Sequence, residues 1–544
     1  MATRPSRGGT VDRRSFLTLA AAGVAAPAVL GACGGSPGGG AVTDGAALKD
    51  VEAILPRYVP VEYAKPDIPG VNGTPPGYVR PPAALVTAYP TPPGTGRTIT
   101  AMGPVWTPVR DASGSRYRGA VNAAIGSNLD VRAAEGSSYS EKLSVMFAST
   151  TDIPDWIDVP DYMRPKRFEE AAVALFHDLT PFLSGEAVTK YKHLANLPTG
   201  AWRVAIFNGR ILGIPFVFTP VNAVGFYRND LLSQKGITAL PTSAAEMLTF
   251  AKELTGGDQW AFDDPGSFRD LFFARGPDWY LVDGKLLHKL ETPEYRESLE
   301  WAATLFRQGS VHPAAVAGDN GGAKSRFEAG QVFMKADGIT WWLELLRRKR
   351  PADPTFSMLP LPPISHSGGT PLLWKEKPAS GFSFIKKTDD TGKVEEILRI
   401  ADFLAAPIGT TEYQLLRSGV DGLHYTTDPA TRAITPTPLG VQEVDDPYPP
   451  LAFAPPACIE FAYPDYVEQY CGWMADASKY VKEPLFYGLP ITQPYTFSRL
   501  VQAVYDLESD YFRGRKTPAE LDAALADFRK NGVEEMRGYY SKFV

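Results

Sequence analysis

The feature that most restricts the fold of this 544-residue chain is the alternation, from Arg97 onward, of short β-like runs with amphipathic helical patterns. Arg97-Thr98-Ile99-Thr100-Ala101-Met102 reads as a first strand. Asp130–Ala133, Ile211–Phe216, Val224–Tyr227, Val332–Ala336 and Phe382–Ile385 read as further ones. Ser243 with Glu246 three residues on spells an N-terminal capping box for a helix over 243–254. Pro293 stands at the first position of another helix, whose Tyr295, Leu299, Ala302, Leu305 and Phe306 share one face, and Gly309 supplies its stop. An amphipathic helix is expected over 394–405, and Thr517-Pro518-Ala519-Glu520 caps a last one. Strands alternating with helices predict α/β lobes with mainly parallel sheets. The length exceeds what one hydrophobic core serves, so two or more lobes are expected.

The first 95 residues depart from this rhythm. Arg13-Arg14, within Asp12-Arg13-Arg14-Ser15-Phe16-Leu17, precedes an uncharged run from Phe16 to Leu30 and then Leu30-Gly31-Ala32-Cys33. A basic start, an apolar run and a small-residue cleavage site read as an export signal, of twin-arginine type, over 1–33. The Leu-Gly-Ala-Cys end resembles a bacterial lipoprotein box, which makes Cys33 the expected lipidated N-terminus. Residues 34–95 form a Gly-rich tether followed by a proline-dense segment from Pro56 to Pro93, expected to run extended over the surface of the body. No second apolar run approaches spanning length, so the expected protein is anchored, not embedded.

A formal net charge of -6 supplies no basic face for nucleic acid. Of the three cysteines, Cys458 and Cys471 remain if Cys33 carries lipid, and they are candidates for a disulfide outside the cytoplasm. The six histidines are scattered, none at i, i+4 spacing, so no metal site is expected. No nucleophile elbow, phosphate loop or dinucleotide fingerprint occurs, and no cofactor is expected. Asp263-Asp264 and Asp445-Asp446 read as solvated loop charges rather than a hydrolase pair. Aromatic residues are the better lead. Trp106, Trp156, Trp279-Tyr280, Trp341-Trp342 and Trp374 fall near expected strand ends or loops, where rings can stack on sugars.

Several segments, in order over about residues 97 to 540, resemble the extracellular solute-binding proteins of ABC importers, in the class of maltose- and oligosaccharide-binding proteins. They are Thr151–Trp156, Asn208–Pro215, Phe226–Leu232 with Gly236, Pro241 and Glu246, Phe327–Met334 through Gly338 to Trp341-Trp342, Ala379–Lys387, and Gly419–Tyr425. The resemblance implies a periplasmic-binding-protein-like fold of type II, two α/β lobes joined by crossing strands with a ligand cleft between them. Lobe 1 would comprise 96–218 plus 377–427, and lobe 2 would comprise 219–376 plus 428–544. The crossings would fall near Pro215–Asn222 and Lys375–Ala379, with a further return after about Tyr425. The resemblance also points to ligand contacts at Trp106, Asp155, Trp156 and Tyr425 in the first lobe. In the second it points to Trp279 or Tyr280, Trp341 or Trp342, and Tyr495 or Phe497, beside which Trp374 stands as a candidate for its ring alone. Some large members of the class carry a calcium loop after the helix equivalent to 243–254. Thr255–Asp264 lacks the alternating oxygen ligands of such a loop.

The implied protein is a monomeric, lipid-anchored receptor that binds a sugar or oligosaccharide and partners the permease subunits of an ABC importer. Rival expectations are a secreted glycan-active enzyme and a non-transport sensor lipoprotein of the same fold.

Overall fold

In the computed structural model, which describes residues 51–544 apart from 107, 151, 166, 320, 490, 492 and 493, nine strands build the two larger sheets. In chain order they are Thr98–Val105 (β1), Asn128–Glu135 (β2), Trp156–Pro160 (β3), Gly213–Val217 (β4), Ala223–Arg228 (β5), Trp260–Phe262 (β6), Val332–Gly338 (β7), Met358–Pro360 (β8) and Ala379–Ile385 (β9). The first sheet has the order β2-β1-β3-β9-β4 and the second β8-β5-β7-β6. Within the first, β1 runs parallel to β2 and β3, and β9 is antiparallel to both its neighbours. Within the second, β6 and β7 are parallel and β5 is antiparallel to β7 and β8.

The two antiparallel strands are those that enter from the other lobe. The chain leaves the first sheet at Val217, crosses over 218–222 and starts β5 at Ala223, beside Gly338 at the end of β7. It returns over 375–378 and starts β9 at Ala379, beside Val217 at the end of β4. A strand that enters at the edge where its neighbours finish has no choice but to run against them. The two crossings bond to each other: Phe218 N donates to Pro378 O (3.2 Å) and Glu376 N to Pro220 O (3.0 Å).

Alternation of side chains along the strands assigns the cores. β3 lies mid-sheet and is buried on both faces along its length. In β5, Val224 and Phe226 enter the core beneath Trp341 and Trp342, while Tyr227 enters the core shared with Phe262, Trp301 and the C-terminal helices. The helix expected from Ser243 and Glu246 spans Ala244–Leu254. Ser243 Oγ accepts from Glu246 N (3.1 Å), but the Glu246 carboxylate bonds Thr242 N (2.8 Å), one residue earlier than a capping box requires. Thr517 and Glu520 make the reciprocal box in full. The expected strand Ile211–Phe216 is divided: Arg210–Ile211 folds back on Ile206–Phe207 through Asn208-Gly209, both at positive φ, and β4 begins at Gly213.

The proline-dense segment forms a strap without helix. Its start is held on the first lobe, where Val59 N donates to Ala195 O (2.8 Å) and Tyr63 Oη bonds His193 Nε2 (3.1 Å). Its middle lies on the second lobe, where Ile68 and Val79 pack on the Trp342 core and Gly77–Tyr78 pairs with Cys458–Ile459. Its end returns to the first lobe, where Val86 N donates to Gly409 O (2.9 Å) and Gly94 N to Ile125 O (2.7 Å).

One expected boundary moves. The second lobe does not resume at 428, because Tyr448, Leu451 and Ala452 still belong to the first core. The third passage lies over 453–457, where Phe453 stacks on Phe216 (centroids 5.7 Å apart), and Cys458 is the first residue back in the second lobe.

Candidate functional site

The register places the C-terminal edges of both sheets at the crossings. β1, β3 and β4 end at Val105, Pro160 and Val217, and β7 ends at Gly338 beside the start of β5. In open α/β sheets, ligands gather at the carboxyl ends of the strands.

On the first lobe this edge carries two bare aromatic rings. Trp106, just after β1, is 66% exposed, and Tyr162, two residues after the neighbouring β3, is 68% exposed. Trp106 lies across Gly136 at the end of β2: a β-carbon there would come within 2.5 Å of the indole. Tyr162 sits in a short turn whose Asp161 pairs with Arg164 (3.0 Å) and with Lys377 of the second crossing (2.5 Å). Beneath the edge, Asp158 is 4% exposed. Burial pushes its carboxyl well above the usual range.

On the second lobe a small apolar pocket of about 30 Å³ opens beside the first crossing. Val221, Ala223, Phe272, Leu361, Ile364 and Trp473 line it, among others. Trp473 Nε1 donates to Leu361 O (2.9 Å), which holds the ring in the wall. At the end of β7, Thr340 is the exposed N-cap of helix Trp341–Lys349, and Asp337 pairs with Lys324 (3.3 Å). Glu376, in the second crossing, is raised by burial.

The structure separates the residues singled out from the sequence. Trp106 is at the edge. Trp374, immediately before the second crossing, and Tyr280 are half-buried and lie ring to ring (5.6 Å). Both donate to Ala274 O, Trp374 Nε1 at 2.7 Å and Tyr280 Oη at 3.3 Å.

The others lie elsewhere. Trp156 is fully buried and its Nε1 donates to Ser383 Oγ (2.8 Å), so neither ring face is open. Asp155 stands at the opposite end of β3, where it accepts from Thr100 N and Oγ1 (3.0 Å each) and pairs with Lys393 (2.6 Å). Burial works to raise its pKa, and Lys393 and Thr100 more than offset that, so the carboxyl is held below the usual range. Trp279 packs on His288 and Tyr540. Trp341 and Trp342 are both buried against Phe226, and Trp342 also meets Tyr466 edge-on (5.0 Å). Tyr425 is buried, at 8% exposure, in the short hairpin with Ile434–Pro436. Phe497 is core. Tyr495 begins helix Tyr495–Phe512, and its side chain, like Arg13, Arg14 and Cys33, lies outside the described residues.

Tyr162 and Trp473 were missed. For Tyr162 a signal existed, an aromatic residue just past a Pro-terminated β-like run. Trp473 sits mid-helix in Pro464–Ala477, where nothing local sets it apart.

Two lobes on crossing strands, each presenting its strand ends to the crossing, define a periplasmic-binding-protein-like receptor fold. Residues 117–410 match the family described as bacterial extracellular solute-binding protein, and the chain belongs to that family.

Solved structures agree. A solute-binding protein associated with an HMO-binding ABC transporter of Bifidobacterium longum infantis matches with a TM-score of 0.57 at 13% identity, over 82% of this chain and 98% of its own. An N-glycan transport solute-binding protein of Streptococcus pneumoniae gives 0.56 at 16% identity, over 82% and 99%. An alginate-binding protein, solved without calcium ion, gives 0.54 at 18% identity, over 85% and 98%. At these identities the likeness is one of fold. No curated protein matches the sequence.

Proposed function

We propose that this protein is the lipid-anchored, extracytoplasmic receptor of an ABC importer, and that it takes an oligosaccharide between its lobes and presents it to the permease. The observation that carries the reading is the pair of bare rings, Trp106 and Tyr162, at the ends of adjacent strands facing the crossings. An exposed aromatic face costs hydration until something apolar covers it, and the C–H face of a sugar ring is a matching surface. Trp374 and Tyr280, beside the second crossing, supply rings on the other lobe. The names of the glycan-binding proteins that share the fold support the same class of ligand.

Binding acts as closure. A ligand that touches both strand-end edges stabilises the closed state by its extra contacts, and the permease reads that state. The reading assigns the protein no catalysis, a monomeric state, and lipid on Cys33 as the tether.

A thermal-shift screen against mono- and oligosaccharides, with peptides and polyamines as controls, tests it. A ligand at a hundred times its Kd adds about 2.7 kcal/mol and raises Tm by a few degrees. A shift with one glycan family, with the glycan recovered intact, is the expected result. No shift with any sugar overturns the ligand class, and recovery of a cleaved glycan replaces the receptor with a hydrolase.

A further inference from the structure

Cys458 and Cys471 come from different elements, the short strand Cys458–Ile459 and the helix Pro464–Ala477, yet both residues adjoin one glycine of the strap. Gly77 of the strap is aligned with Cys458 in a parallel pair, Cα against Cα. A β-carbon at Gly77 would lie 2.6 Å from Cys471 Sγ, so the sulfur fills the space that the glycine leaves open. The two thiols are neighbours, both are buried, and both are free. Tyr466, Val467 and Tyr470 close the surroundings with rings and methyls.

We propose that Cys458 and Cys471 are an oxidation site, joined by a disulfide in the exported protein, and that this bond seats the middle of the N-terminal strap on the second lobe. The inference rests on the family's extracellular setting, where disulfides persist, and not on the identity of the ligand.

The chemistry is a thiol–disulfide exchange with an external protein disulfide as oxidant. One thiol, as its thiolate, displaces one sulfur of the oxidant and forms a mixed disulfide. The other cysteine, losing its proton, then attacks the linked Sγ and expels the second sulfur. Two protons leave the pair, and the oxidant is released as a dithiol carrying both electrons. Because Gly77 of the strap lies on Cys471 Sγ and both cysteines are buried, the exchange takes place before residues 68–79 dock.

The test counts thiols in the full-length protein recovered from outside the cytoplasmic membrane. The protein is denatured with a maleimide before and after reduction and then mapped by mass spectrometry. The expected result is no labelling of Cys458 or Cys471 until reductant is added, with the linked peptide lighter by two hydrogens. Labelling of both without reductant overturns the disulfide.

Limited proteolysis under native conditions tests the seating. Reductant is expected to open the 68–79 segment to cleavage in the wild type and to change nothing in the C458S/C471S double variant. A strap that stays equally protected after reduction of the bond overturns the seating role.

Discussion

The indole of Trp106 rests on Gly136, with no room for a β-carbon between them. The glycine therefore sets the height and tilt of the most solvent-open indole of the strand-end edge. Gly136→Val should lift the ring and weaken oligosaccharide binding about as much as Trp106→Ala does. A tenfold rise in Kd corresponds to about 1.4 kcal/mol. Trp106 is exposed, so Trp106→Ala should leave stability within about 0.5 kcal/mol of wild type. Titration calorimetry paired with urea denaturation separates the two effects. Unchanged affinity in both variants removes Trp106 from the site.

Trp156 and Trp342 should respond as core residues. Either residue changed to alanine should cost about 3–5 kcal/mol. Replacement by phenylalanine should distinguish them. Trp342 Nε1 has no partner, so Trp342→Phe loses only volume. Trp156→Phe also strips Ser383 Oγ of its donor and should cost more. Urea midpoints for the two phenylalanine variants give the comparison directly.

Asp158 should make the protein less stable as pH rises. Burial raises its folded-state pKa above the unfolded value, so the native state holds a proton that the unfolded state has released. The penalty begins near the ordinary carboxylate value of about 3.9 and grows upward from there. Asp158→Asn should match wild type at pH 4 and exceed it at pH 7.5, read as urea midpoints at the two values. A variant less stable than wild type at both would show that the carboxylate has a stabilising partner.

His288 should act with the opposite sign. Burial lowers its pKa to about 4, so the unfolded chain takes up a proton first as pH falls below 6.5. The ring packs on Trp279 and Phe528, and Nδ1 accepts from Leu290 N (3.2 Å). At neutral pH wild type should therefore be more stable than His288→Gln. That advantage should shrink between pH 6.5 and about 4, as measured by the same denaturation series.

The positions expected for the crossings, 215–222 and 375–379, came from the family resemblance of the segments around them, which is read in short local stretches. The rings of the site could not be read that way. Whether a tryptophan is core or surface depends on what packs over it from elsewhere in the chain. Trp342 is covered by Tyr466 of a helix more than a hundred residues on, and Trp156 is mid-sheet because β9 arrives from 379–385. Position relative to a strand end is the more useful guide. Trp106 and Tyr162 both lie just past one, whereas Asp155 and Trp156 lie at the entrance to β3, away from the crossings.

The placement of β9 between β3 and β4 has a consequence for how the chain is made. When the ribosome has produced everything through Val217, the first lobe has its outer strands but lacks the one that joins them. Until residues 379–385 are available, β3 and β4 each present an unpaired edge, and an exposed edge is a template for joining another chain. The whole of the second sheet is synthesised during that wait. The nascent protein is thus most prone to aggregation midway through its own synthesis, and a holding chaperone would be needed there rather than at the start or the end.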